Sequence, residues 1–205
     1  MTAAPGGGPS GELAGGLADG DLPTRRFTGL VYRAHHPRWA FAPVSGEGAA
    51  RHGGRFNSRG TPALYTSLDP TTAWMEAQQG LPFKAQPMTL VGYRVDCGPL
   101  LDLTAAAVQA AVGVGPDTLA CAWEDLASRG HTPPTWHLAR ALIAGGLHGV
   151  LVPSFAPGAR PDARNLVLWR WADTAPCAIR VIDDGNRLPR DAASWPADPD
   201  PSPRA

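Results

Sequence analysis

Apolar and polar positions alternate along several short stretches of this chain, and elsewhere apolar positions recur at helical spacing. Residues 27–35 (FTGLVYRAH) carry Val31 and Tyr32 in an alternating run and predict a strand. A loop rich in Pro, Gly, His and Arg follows over residues 36–54. Residues 62–68 (PALYTSL) predict a second strand and residues 88–96 (MTLVGYRVD) a third. Between these two strands, Asp69 offers a side-chain oxygen to the free N–H groups of a helix start, and Pro70 has the fixed φ that suits the first helical position. That helix carries Trp74, Met75 and Glu76 and is stopped by Gly80 and Pro82. Residues 117–129 and 134–144 predict two further helices, ended by Gly130 and by the Gly145–Gly146 pair. Short strands follow at 149–152, 165–171 and 178–182. Strands at both ends with helices between them predict an α+β fold.

Residues 1–24 hold little to bury and predict a disordered N-terminal tail; residues 186–205, ending PADPDPSPRA, predict a C-terminal one. The folded domain is then 25–185, long enough to bury a core without disulfides or metal. Eighteen basic residues balance eighteen acidic ones, which lacks the basic surplus of an electrostatic nucleic-acid binder. Lys84 is the only lysine. An almost pure arginine set reflects either coding bias or fixed forks for phosphates. The three cysteines, Cys97, Cys121 and Cys177, are odd in number and widely spaced. They predict neither a disulfide framework nor a C-x-x-C metal site, and fit a reducing cytoplasm. No apolar run reaches the roughly 18 residues of a membrane span, and the N-terminus lacks the basic and apolar regions of a secretory signal.

Candidate chemistry concentrates in residues 52–77. Gly53 and Gly54 allow a ligand close to the backbone, and Arg55, Asn57, Ser58 and Arg59 follow at once. Such a set suits a phosphate-bearing ligand; the pattern alone is also that of a solvated hairpin loop, the commoner case. Tyr65 and Ser67 share one face of the next strand; the tyrosine is either a stacking platform or a half-buried core residue. Glu76 is the only acid between Asp69 and Asp96, either a solvent-facing helix residue or a placed functional group. Arg33 follows apolar strand neighbours and needs an anion. Ser154 stands in the turn after GVLVP, and Asn165 opens the next strand. None of the six histidines forms an H-E-x-x-H pattern, and no G-x-S-x-G elbow, P-loop or strand-borne dinucleotide fingerprint is present. Serine hydrolase, zinc protease and P-loop NTPase readings fail on these grounds.

Taken in order, VYR, GGRFN, G-x-P-x-LYTSLDPTTAW-x-E, PT-x-H-x-AR, GVLVPS and NLVLW resemble the RES domain family over about residues 27–172. The family is named for a characteristic Arg, Glu and Ser, matched here by Arg33, Glu76 and Ser154. The resemblance implies a core like that of ADP-ribosyltransferase toxins: α+β, with a split, mainly antiparallel sheet and flanking helices. Many members are toxins of bacterial toxin–antitoxin pairs that consume NAD⁺ as glycohydrolases or phosphorylases. Others are described as transferring ADP-ribose to a protein, which is the alternative reading. The usual partner is an antitoxin with a DNA-binding domain. By resemblance Glu76 is the catalytic carboxylate, with Arg33 and Ser154 beside it. Arg33 and Arg55 hold the phosphates of NAD⁺, Tyr65 stacks on nicotinamide, Ser67 and Asn165 join the NAD⁺-binding set, and Ser154 and Asn165 orient the arginines or the ligand. NAD⁺ is then a substrate, inorganic phosphate a second one in the phosphorylase case, and no metal, nucleic acid or membrane is required. The chemistry agrees with a single acid. Nicotinamide leaves NAD⁺ neutral and needs no proton, unlike the leaving oxygen of an ordinary glycoside. One carboxylate then suffices to stabilise the oxocarbenium-like ribose.

Overall fold

The computed structural model describes residues 22–78 and 87–193. The chain runs β1 (Thr24–His35), a 3₁₀ turn (Pro37–Trp39), α1 (Glu47–His52), β2 (Leu64–Ser67), α2 (Pro70–Ala77) and β3 (Thr89–Asp102). Then come α3 (Ala106–Ala111), α4 (Pro116–Leu119), α5 (Trp123–Ser128), α6 (Pro134–Ala144), β4 (Gly149–Pro153), β5 (Arg164–Leu168) and β6 (Cys177–Val181). The start of α2 follows its sequence signal. Asp69 Oδ1 accepts from Thr72 N–H at 2.9 Å, and Pro70 occupies the first turn. Gly80 and Pro82, the expected stop, lie outside the described residues.

The six strands form two antiparallel halves, β6–β3–β1 and β4–β5–β2. A parallel pairing of Leu100–Asp102 on β3 with β4 joins them on one side. On the other side β1 and β2 meet at one residue pair, Tyr32 with Ser67. The sheet is therefore mainly antiparallel and split along the β1–β2 seam, as an α+β core of this kind requires. Its two faces bury separate cores. On β4 and β5, Val150, Val152 and Val167 face the core beneath α6, while Leu151, Leu166 and Leu168 face the other, which is the period-two rule of a strand buried on both sides. At Gly149 a Cβ would lie 2.2 Å from the Val167 carbonyl, so only glycine lets β4 begin against β5.

Several expectations need correction. The single helix expected over 117–129 is two short ones, because the carbonyls of Leu119 and Cys121 point to Arg55 and Trp123 N–H bonds Cys121 instead of continuing the helix. The loop expected over 36–54 contains the 3₁₀ turn and α1, and β3 runs six residues past its expected end at 96. The tail boundaries also shift. β1 begins at Thr24, Leu22 packs on the first core, and Leu188 packs on the second while its N–H bonds Asp183. Residues 1–21 and 194–205 lie outside the described residues. The cysteine expectation fails outright: Cys97 and Cys177, 80 residues apart, form a disulfide. Sheet register places them directly opposite each other on β3 and β6, which sequence spacing does not reveal. Among the described residues no helix is long and apolar enough to cross a membrane.

Candidate active site

A cavity of about 370 Å³ opens where β1 and β2 part, roofed by α2 and walled by residues 53–56. Glu76, in the second turn of α2, reaches into it. Its Oε1 accepts two hydrogen bonds, from Ser154 Oγ at 2.6 Å and from Asn165 Nδ2 at 2.5 Å. Asn165 is oriented in turn, because Ser67 Oγ donates to its Oδ1 at 2.7 Å and leaves the NH₂ group for the carboxylate. The Ser154 hydroxyl receives the Ala156 N–H at 3.3 Å, which turns its proton toward Glu76. Ser67 and Asn165 face each other in the β2–β5 register, so strand pairing itself builds this part of the site. Hydrogen bonds to an ionised acceptor are the stronger kind, and two side chains bond this one oxygen while a third orients one of them.

Two arginines line the same cavity. Arg33 Nη1 donates to the carbonyls of Pro43 (3.2 Å) and Ser45 (2.8 Å). Burial lowers its affinity for the proton, against a smaller opposing effect of Tyr93. Arg55 Nη1 donates to the carbonyls of Leu119 (3.1 Å) and Cys121 (2.5 Å), and its guanidinium lies 4.4 Å over the Phe155 ring. Burial lowers its pKa as well, while the negative fields of Cys121, Glu76 and Tyr65 pull it back up. Neither guanidinium donates to a carboxylate among the described residues. Two desolvated cations on one cavity wall, hydrogen-bonded to carbonyls, favour an anionic guest.

The GGRFN segment is fixed by its neighbours. Asn57, 1% exposed, donates to the carbonyls of Ala49 and Thr61 at 2.8 Å each, and its Oδ1 accepts from Tyr65 Oη at 2.8 Å. Tyr65 Oη also accepts from Phe56 N–H at 2.9 Å, and burial pushes its phenol well above the usual range. A Cβ on Gly54 would stand 2.6 Å from that hydroxyl, so the close approach demands glycine. Two indoles complete the clamp: Trp136 donates to the Gly54 carbonyl at 2.7 Å and Trp169 to that of Phe56 at 2.8 Å.

The seven residues given roles by the family resemblance are thus gathered at this site: Arg33, Arg55, Tyr65, Ser67, Glu76 and Asn165 line the cavity, and Ser154 bonds Glu76 from its edge, whereas Asn57, Ser58 and Arg59 of the candidate phosphate loop do not line it. Their geometry differs from the expected roles in three places. Ser154 and Asn165 grip the carboxylate and do not contact the arginines. Ser67 acts through Asn165. The hydroxyl of Tyr65 is committed to the loop, which leaves only its ring face to the cavity. Trp123 and Phe155 also line the cavity and were not foreseen; Trp123 opens α5, in a stretch whose pattern gave a continuous helix.

The family model of the RES domain matches residues 30–191. The chain belongs to the RES domain family. Among solved structures, the M. tuberculosis MbcT–MbcA toxin–antitoxin complex contains a chain similar to this RES domain, with a TM-score of 0.58 at 21% identity over 84% of this chain and 92% of that one. That likeness supports the α+β fold of the RES domain described above. No curated protein matches it.

Proposed function

We propose that this RES domain protein is the toxin of a bacterial toxin–antitoxin pair and that it breaks the nicotinamide–ribose bond of NAD⁺. The observation that carries the reading is one cavity holding a carboxylate gripped by Ser154 and Asn165 together with two guanidinium groups that, among the described residues, donate to backbone carbonyls and to no carboxylate. The arginines suit the diphosphate of a dinucleotide, and binding energy gathered there orients the distant bond that breaks. Glu76, ionised, stabilises positive charge developing on the ribose as the C–N bond lengthens. The bonding pair leaves with nicotinamide, which becomes neutral. An acceptor oxygen, from water or inorganic phosphate, forms the new bond to the ribose carbon and gives its proton to solvent. The ring face of Tyr65 is available to the departing nicotinamide. The fold of the MbcT–MbcA complex supports a protein partner that restrains the enzyme, and the reading places the pair in the cytoplasm with its NAD⁺.

The test is NAD⁺ consumption by the purified chain, with and without inorganic phosphate, the products separated by mass. Nicotinamide with ADP-ribose marks a glycohydrolase. Nicotinamide with a phosphorylated ADP-ribose, formed only when phosphate is present, marks a phosphorylase. Intact NAD⁺ under both conditions overturns the reading.

A further inference from the structure

Three side chains outside the cavity converge in the second core. Cys97 on β3 and Cys177 on β6 are directly opposed, and His148, in the turn entering β4, lies beside them. Their donor atoms, two sulfurs and an imidazole nitrogen, all lie within 4.8 Å of one another. In this structure the sulfurs are joined as a disulfide. His148 Nδ1 is buried and has no hydrogen-bond partner.

We infer that Cys97, Cys177 and His148 form a site for a soft divalent cation of the zinc type, filled when the two cysteines are reduced. Four observations carry this. First, two thiolates and an imidazole are the donor set that zinc prefers over harder ions. Zinc–sulfur bonds at tetrahedral angles separate two sulfurs by about 3.8 Å, so the sulfurs, bonded to each other here, part on reduction to take the ion. Second, the backbone already holds the donors in place. His148 N–H donates to the Pro99 carbonyl at 2.9 Å, Trp169 N–H donates to the His148 carbonyl at 2.8 Å, and the cysteines sit in the β3–β6 ladder. Third, Cys97 and Cys177 are 0% and 2% exposed. A thiolate buried alone is costly, but a dication with two thiolates is neutral as a unit. Fourth, a buried ring nitrogen without a partner calls for an explanation, and a metal bond supplies one. His148 itself is only half-buried, so an ion would enter past it and take a solvent water as its fourth ligand.

The balance is simple. A dithiol reductant gives two electrons and two protons to the disulfide, frees two thiols and leaves as its own disulfide. The cation then forms two metal–sulfur bonds and one metal–nitrogen bond, and the two thiol protons go to solvent. In a reducing compartment the paired cysteines therefore serve the cation and not each other. The ion would tie β6, at the edge of the sheet, to β3 and to the entry of β4.

The experiment is a titration of the full chain with Co²⁺, after reduction by a phosphine and under exclusion of oxygen. The expected result is a sulfur-to-cobalt charge-transfer band with the visible bands of a four-coordinate ion, saturating at one ion per chain and erased by Zn²⁺. Cys97→Ser and Cys177→Ser each lose the band or half its intensity, His148→Gln binds at least about tenfold more weakly, and Cys121→Ser is unchanged. The oxidised His148→Gln chain keeps the disulfide, and its unaltered circular dichroism separates a lost donor from a lost fold. Absence of the band in the reduced chain overturns the proposal, as does its loss in Cys121→Ser or unchanged affinity in His148→Gln. None of these readouts involves NAD⁺, so the outcome is independent of the proposed activity.

Discussion

Glu76 and Arg55 face the same cavity and are held there by different means. The carboxylate is gripped by side chains: Ser154 and Asn165 directly, Ser67 through Asn165. The guanidinium is gripped by the main chain, through the carbonyls of Leu119 and Cys121, with Phe155 beneath it. Arg33 follows the second pattern, bound to the carbonyls of Pro43 and Ser45. The difference has a physical root. Carbonyls satisfy an arginine without neutralising it, so its charge stays available to a guest, whereas a carboxylate with the reacting role proposed for Glu76 needs donors that orient it without themselves bearing charge. Neutral hydroxyl and amide groups meet that need.

The comparison can be broken most forcefully at the acid. Glu76→Gln keeps the size and the acceptor oxygen but removes the charge, and NAD⁺ turnover is expected to fall by about 10²–10⁴, read as nicotinamide release. Near-normal turnover would show that the gripped group is not the reacting one. Next comes the grip. Ser154→Ala removes one charge-assisted hydrogen bond, and kcat/KM is expected to fall about 10–100-fold, with the melting temperature little changed. A loss as large as that of Glu76→Gln would move Ser154 from holding the acid into the reaction itself.

The cation end is sharpened by pH. His35 follows Arg33 on β1; both its ring nitrogens are buried without a partner, and burial first, then Arg33 and His36, lower its pKa to about 4. Its unfolded pKa of 6.5 is higher, so below 6.5 the unfolded chain binds the extra proton and the folded one does not. This contribution to stability is whole above pH 6.5, declines as pH falls toward about 4, and is flat below that. Discounted for the partial exposure of the ring, the loss is about 1–2 kcal/mol. His35→Phe should flatten that part of the curve in denaturant unfolding at several pH values. An unchanged slope would place the acid sensitivity elsewhere. The smallest effect belongs to a pair with neither kind of grip. Arg129 and Asp125 meet at 2.9 Å on the surface of α5, and Arg129→Ala should cost no more than about 0.5 kcal/mol in the same assay.

Much of the site was legible in the sequence because its parts are local signals. Asp69–Pro70 marks the start of α2, and that start sets which turn carries Glu76. The alternation of residues 62–68 sets Tyr65 and Ser67 on one face. The composition of residues 53–59 suggests a phosphate loop or a solvated hairpin, and neither foretells that Asn57 is buried and spent on packing the segment. What escaped notice depends on partners far along the chain. The break between α4 and α5 comes from Arg55, some 64 residues earlier than the Leu119 carbonyl it binds. Helical periodicity runs straight through that break, and so Trp123 went unnoticed as a wall of the cavity. The meeting of Cys97 with Cys177 depends on the β3–β6 register, and the indole clamps of Trp136 and Trp169 on the pairing of distant segments. Roles were harder to read than places: nothing in the sequence says that Asn165 points at an acid and not at a ligand.

The two groups that grip Glu76 lie 78 and 89 residues further along the chain. A ribosome that has made α2 has therefore made the acid but neither of the groups that bond it, and β5 must leave the exit tunnel before the carboxylate can be set. Every shorter nascent chain lacks the direct grip on its acid. If the finished protein harms the cell that makes it, synthesis itself supplies a delay, and a restraining partner needs to be present only when the last strands emerge.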